Sequence, residues 1–132
     1  KWISSISYIS NKPLFGWGAA SFPILYSLKG ESFGHAHNLP IEFAISYGIL
    51  PAIIIFSFYG GILYLAFKKI FKSSRITDSE IYYFLNNKAW FSAFLIFLLS
   101  HLFDIQYFDA RISTLSWILI AGLRCLLREE HK

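Results

Sequence analysis

From Phe43 to Phe67 the chain carries no charged side chain. Few environments accept such a run. Its core, Gly48 to Phe67, makes ~30 Å of helix at ~1.5 Å per residue, the thickness of a bilayer's hydrocarbon layer. A helix satisfies every backbone N–H and C=O internally, as a lipid solvent demands. Two further apolar runs follow. Ala89 to Phe103 is uncharged but shorter, and reaches spanning length by running back through Lys88, whose ammonium can snorkel to the headgroups. Ile112 to Leu127 is interrupted only by Arg124, and a buried or interfacial helix also suits that length. The whole chain is 55% hydrophobic and 15% charged, against about 25% charged in soluble domains. The expectation is an all-α membrane protein. About three transmembrane helices (48–67, 85–105 and 110–127, within 48–132) follow an extracytoplasmic region, residues 1–47, of short amphipathic or re-entrant helices.

The net charge of +4 does not point to nucleic acid, because no basic run interleaves with stacking aromatics on a polar face. Instead the basic residues flank the apolar runs. Lys68, Lys69, Lys72, Arg75 and Lys88 lie between the first two, and Arg124, Arg128 and Lys132 close the chain. The positive-inside rule places both groups in the cytoplasm. The stretch Asp104 to Arg111, and everything before Gly48, then face outward. One cysteine, Cys125, permits neither an intrachain disulfide nor a cysteine zinc cluster. Methionine is absent and residue 1 is a lysine, so the chain reads as a segment of a longer one, without a secretory leader. There is no internal repeat.

In the outer region, Trp2, Ile6 and Ile9 recur at helical spacing and predict a short amphipathic helix, ended by Asn11-Lys12-Pro13. Gly16 and Gly18 read as turn glycines, and Lys29 to Gly34 as a loop. The informative piece is His35-Ala36-His37-Asn38-Leu39-Pro40-Ile41-Glu42. Asn38 is a good N-cap, Pro40 suits a first turn, and Glu42 complements the helix dipole. A helix should therefore start at Asn38, with His37 just before its mouth. Free N–H groups there would attract an anion, and a histidine beside them can take a proton or, protonated, hold a phosphate. Pro51 should kink or restart the helix that follows. On the same outer side fall His101, Asp104, Asp109 and Arg111. Asp104 can orient a histidine, and Arg111 can pair with a phosphate. The competing readings are plain surface polarity, or a zinc site built on His35-x-His37 with His101 and Asp104.

Pro13-Leu14-Phe15-Gly16-Trp17-Gly18-x3-Phe22, then His37-Asn38, nine residues and Gly48, resembles the C-terminal part of the O-antigen ligase family. That family also includes O-antigen polymerases and protein O-oligosaccharyltransferases. His101-x2-Asp104, leading to a last span with Trp117, is similar to cyanobacterial-type members. Where the family pattern has a second glycine after Gly48, this chain has Pro51. The resemblance implies a multi-pass glycosyltransferase of the bacterial inner membrane with a periplasmic active-site face. Such an enzyme moves a glycan from an undecaprenyl-diphosphate carrier to lipid A–core, a growing polysaccharide or a protein hydroxyl, with no metal or other cofactor. It implies that His37 is the catalytic residue. The family's essential arginines lie mostly upstream of the matched segment, and Arg111 does not correspond to them. His35, Asn38, Asp104 and Arg111 are the candidate substrate-binding residues. The partners expected are the bilayer, the carrier-linked donor, the acceptor and the remaining N-terminal helices, without which the segment is expected to be inactive. The alternatives are a transporter fragment relaying ions or bicarbonate through His37, His101 and Asp104, and a non-catalytic membrane assembly subunit.

Overall fold

The structure, a computed structural model, describes residues 2–30, 32–72, 81–104 and 109–128. Arg75 and Lys132, and residues 105–108 of the expected outer loop, lie outside that set. The described residues hold six α-helices and no strand: α1 (Trp2–Asn11), α2 (Ser21–Ser27), α3 (Leu39–Tyr47), α4 (Ile49–Lys72), α5 (Ile81–Ser100) and α6 (Ala110–Arg128). The chain divides into two compact units, Lys1–Ser57 with Ser100–Tyr107, and Phe58–Leu99 with Phe108–Lys132.

In the first unit, α1 and α2 pack on α3 around Phe22, Leu25, Tyr26, Ala36, Leu39 and Ile45. The α1 helix ends at Asn11, ahead of Lys12-Pro13. Of the three apolar positions that recur at helical spacing, Ile9 packs against this core. Ile3 and Ile6 are exposed and Trp2 is half-exposed, whereas Ser5 is fully buried. The reason is a set of polar ties to α2. Ser5 Oγ lies 3.2 Å from the Tyr26 hydroxyl, and the Tyr8 hydroxyl donates to the Leu25 carbonyl at 2.9 Å.

The glycine segment caps the far end of α3. Trp17 N donates to Ile45 O at 2.8 Å and Gly18 N to Ser46 O at 2.9 Å, filling carbonyls that a helix end leaves without partners. The Trp17 indole N–H donates to Tyr8 O, so the same residue also holds α1. Close backbone approach is possible only because two residues lack a Cβ. At Gly16 (φ +64°) a Cβ would stand 2.5 Å from Ile45 O, and at Gly48 (φ +96°) it would run into the Leu14 carbonyl. Gly48 also breaks the chain between α3 and α4. Its left-handed φ ends α3, Ile49 N turns to Pro13 O at 2.7 Å, and Pro51 sits in the new first turn, where its missing N–H loses nothing.

Among the described residues two helices, Ile49–Phe71 and Ala110–Arg128, are long and apolar enough to cross a membrane. Only 17% and 28% of their most apolar windows are buried within the chain, so most of that apolar surface faces outward. A helix in the core of a soluble protein is mostly buried. The α5 helix does not join them, because Asn86-Asn87-Lys88 dilute its first half, and it stops at Ser100 rather than reaching residue 105. Lys68, Lys69 and Lys72 lie in the last turns of α4.

The second unit holds α5, α6 and the later part of α4. Lys69 Nζ donates to the Leu126 carbonyl at 2.8 Å, a cationic cap at the carboxyl end of α6. Lys88 Nζ lies 4.1 Å from the Phe84 ring centre and 5.3 Å from that of Phe71. Gly122 leaves room for the Trp90 indole, which lies directly on it, while Trp117 is exposed.

Gly16→Ala and Gly48→Ala should each destabilise the chain by about 1–3 kcal/mol from left-handed strain alone, with the backbone collision added. Gly60→Ala, with nothing within 4 Å of its would-be Cβ, should leave the midpoint unchanged or slightly raised. Thermal unfolding in detergent micelles reads the difference. Equal midpoints for all three variants would refute the docking of the glycine segment on α3.

Candidate functional site

Asn38 caps α3 as its sequence position implies. Its extended backbone (φ −159°) sets up the side chain, whose Oδ1 accepts from Ile41 N at 3.1 Å. The amide's other end is used as well. Nδ2 donates to Leu102 O at 3.0 Å, and Leu39 N donates to His101 O at 2.8 Å. Two successive carbonyls of the turn after α5 thus hold the start of α3, and bring Asp104 to its mouth.

Ahead of the cap, Ala36 is the anchor. Its N–H donates to Glu42 Oε2 at 2.9 Å, its carbonyl accepts from the Trp2 indole at 3.2 Å, and its side chain is fully buried. With Ala36 fixed, the flanking histidines fold toward each other, their ring centres 4.2 Å apart. His37 adopts a left-handed backbone (φ +53°), unusual for a residue with a side chain but less so for histidine. That turn aims its ring at Asp104, with Nδ1 3.2 Å from Asp104 Oδ1. Both side chains are about half-exposed, at 49% and 54%. When the carboxylate accepts, Nδ1 carries the proton and Nε2 holds the lone pair. An open groove of about 540 Å³ lies beside the ring, lined by Trp2, Ile3, Ala36 and His37.

The structure brings His35, His37, Asn38 and Asp104 together within the first unit. Arg111 belongs to the second unit. There Nη2 and Nε fork onto Asp109 at 2.8 and 3.1 Å, and that guanidinium holds the Asp109 carboxyl below its usual range. His101 contributes through its backbone. Its ring is buried, with Nδ1 3.3 Å from Ser100 Oγ.

One expectation fails outright. The mouth of α3 offers no free first-turn N–H to an anion. Leu39 N goes to His101 O, Pro40 has none, Ile41 N goes to Asn38 Oδ1, and Glu42 N to Asn38 O. The capping that builds the site has consumed the donors that would have held a phosphate.

Glu42 is the residue whose part the sequence understated. Position alone suggests a dipole-complementing surface charge. In fact the carboxyl is buried and ties down Ala36, and burial raises its pKa above the ordinary 4.5, more than the Ala36 N–H lowers it. No protein-family model, curated protein or solved structure matches the chain.

A carboxyl with a raised pKa holds its proton more tightly folded than unfolded. Its contribution to stability is complete below pH 4.5 and is lost as pH climbs through the raised value. Glu42→Gln keeps an acceptor for Ala36 N–H and carries no charge to bury. Its unfolding midpoint should match or exceed that of the unaltered chain at neutral pH, and this part of the pH dependence should vanish. A pH series of melting curves checks both. An unchanged pH slope in the Glu42→Gln variant would exclude the buried carboxyl as its source.

Proposed function

We propose that this chain is the C-terminal part of an O-antigen ligase-like glycosyltransferase of the bacterial inner membrane. It would move a glycan from an undecaprenyl-diphosphate carrier to an acceptor hydroxyl on lipid A–core, a polysaccharide or a protein. In this reading α4 and α6 cross the membrane, the less apolar α5 does so with Lys88 reaching back to the headgroups, and residues 2–47 lie at the periplasmic face. The observation that carries the proposal is the His37–Asp104 pair at the mouth of α3. It stands in the same folded piece as the glycines of the family-like motif, with Gly16 and Gly48 needed for α3 to sit where it does.

The chemistry follows from that pair. Asp104 holds the proton on Nδ1, so Nε2 serves as the base. As the acceptor oxygen forms its bond to the sugar's C1, its proton passes to Nε2, and the C1–oxygen bond to the diphosphate breaks with its electrons leaving on that oxygen. Asp104 then stabilises the imidazolium. The Trp2–Ile3–Ala36 lining gives an apolar bed beside the ring for the carrier. Because the first turn of α3 has no donors to spare, the charge of the leaving diphosphate must be met by cations from elsewhere. Arginines upstream in the full-length enzyme fit that need. The clustering of ionisable side chains at one helix mouth, partly exposed, favours this surface chemistry over a proton relay through the membrane.

In the full-length protein, His37→Ala should lower glycan transfer roughly 100- to 10,000-fold while leaving membrane insertion intact. Asp104→Asn should give a smaller loss of the same kind. Ser32→Cys should react with a membrane-impermeant thiol reagent applied from outside. Activity retained in His37→Ala would remove the catalytic role, and labelling of Ser32→Cys only after permeabilisation would reverse the topology.

A further inference from the structure

We propose that His35, His37 and Asp104 form a binding site for a divalent transition cation of the Zn2+ class. Each offers one donor atom, and the three lie within 4.8 Å of one another. Tetrahedral zinc with bonds of about 2.1 Å sets its donors about 3.4 Å apart. The His37 Nδ1–Asp104 Oδ1 edge, at 3.2 Å, already has that length. The remaining donor–donor distances are no more than 4.8 Å, between side chains that are partly exposed. The backbone holds the donors independently of any ion. Ala36 is fixed on both sides by Glu42 and Trp2, which sets the two histidines. Asn38 and Leu39 clamp the turn that carries Asp104.

Donor chemistry selects the ion. Two imidazoles and one carboxylate suit Zn2+, Ni2+ or Cu2+, whereas Mg2+ and Ca2+ prefer oxygen alone. Three protein donors leave a coordination position for water or an anionic oxygen, as in zinc sites with an open face. Two neutral imidazoles and one carboxylate leave the bound ion a net positive charge, at a helix mouth whose first-turn N–H groups are already spent.

Binding changes the imidazole on which the proposed function rests. A cation drawn in between Asp104 and His37 Nδ1 displaces the proton there, and the neutral ring then carries its proton on Nε2. That ring no longer has a lone pair for the acceptor hydroxyl. The site is therefore an off-switch for transfer as well as a metal site.

The test is a Co2+ titration of the whole chain in detergent micelles, followed by visible absorption, with Zn2+ as competitor. One equivalent of Co2+ should bind with the absorption of a low-coordinate nitrogen–oxygen site. Zn2+ should bleach it, and a large excess of Mg2+ or Ca2+ should not. Outer partners of metal ligands alone are worth 10–100-fold in affinity, so His35→Ala and Asp104→Asn should each weaken binding by on the order of 100-fold or more. Circular dichroism of both variants checks that the helices persist. Binding that does not saturate, or that both folded variants retain, overturns the site. A transfer assay on the full-length enzyme with saturating Zn2+ tests the switch separately. Inhibition reversed by chelator supports it. Cation binding with transfer unaffected leaves the metal site standing and removes His37 as the base. Transfer lost to chelator alone also upholds the site, and overturns the off-switch and the metal-free mechanism together.

Discussion

The backbone of Gly16-Trp17-Gly18, laid across the last carbonyls of α3, is the contact on which the arrangement of the first unit depends. A nine-residue helix is too short to persist alone in water, since nucleation costs more than so few hydrogen bonds return. Here both of its ends are closed by groups from outside the helix. Trp17 and Gly18 amides fill the carbonyl end, while Asn38, His101 and Leu102 occupy the amide end. Nothing bulkier than hydrogen fits at Gly16 or Gly48 without moving a carbonyl, so the clamp and the glycines are one requirement. With α3 fixed, the backbone just before it has one way to go, and His37 meets Asp104 as a consequence.

That clamp also decides what the helix mouth can do. A free helix N-terminus is an anion site because its amides have no other partner. This one has spent them on the turn after α5 and on its own cap. What replaces them is a set of side chains: two imidazoles, an exposed carboxylate and a buried carboxyl that meets the backbone amide of Ala36. Such a mouth favours proton transfer and cation coordination over phosphate binding. The distinction comes from counting hydrogen bonds, not from the helix dipole.

How far the sequence could be read follows the range of the interactions involved. The start of α3 at Asn38 and a restart near Pro51 were legible because each is decided within four or five residues, although the break itself falls at Gly48. The long α4 and α6 were legible from composition alone. The buried side of α1 was not. Periodicity selects Trp2, Ile6 and Ile9, of which Ile9 packs on the core while Ile6 is exposed, because an apolar stripe does not register hydrogen bonds. Ser5 and Tyr8 turn inward because Tyr26 and the Leu25 carbonyl are there to bond them, and no spacing rule encodes that. The sequence placed Asp104 on the outer side with His37 and in the role of orienting a histidine, but the contact itself is set at long range. Asp104 lies 67 residues away, and only the Asn38–Leu102 and Leu39–His101 bonds bring it near.

Glu42 shows how the two ranges meet. Locally it is a favourable charge at position four of a helix, and by that rule any acidic residue would serve. Its length matters more than its charge. The carboxyl must reach back past the cap to the amide of Ala36, and in doing so it is taken out of water. The loss of hydration is offset by fixing the residue between two histidines. A shorter aspartate would keep the favourable dipole interaction but fall short of that amide, and Ala36 would be held from one side only. The left-handed turn at His37 costs about 1 kcal/mol and persists only when its neighbours over-determine it. Trp2 and Glu42 on one side, and Asn38 on the other, do so. The backbone turn that aims the His37 imidazole is therefore set by Trp2, Glu42 and Asn38 and not by its partner Asp104.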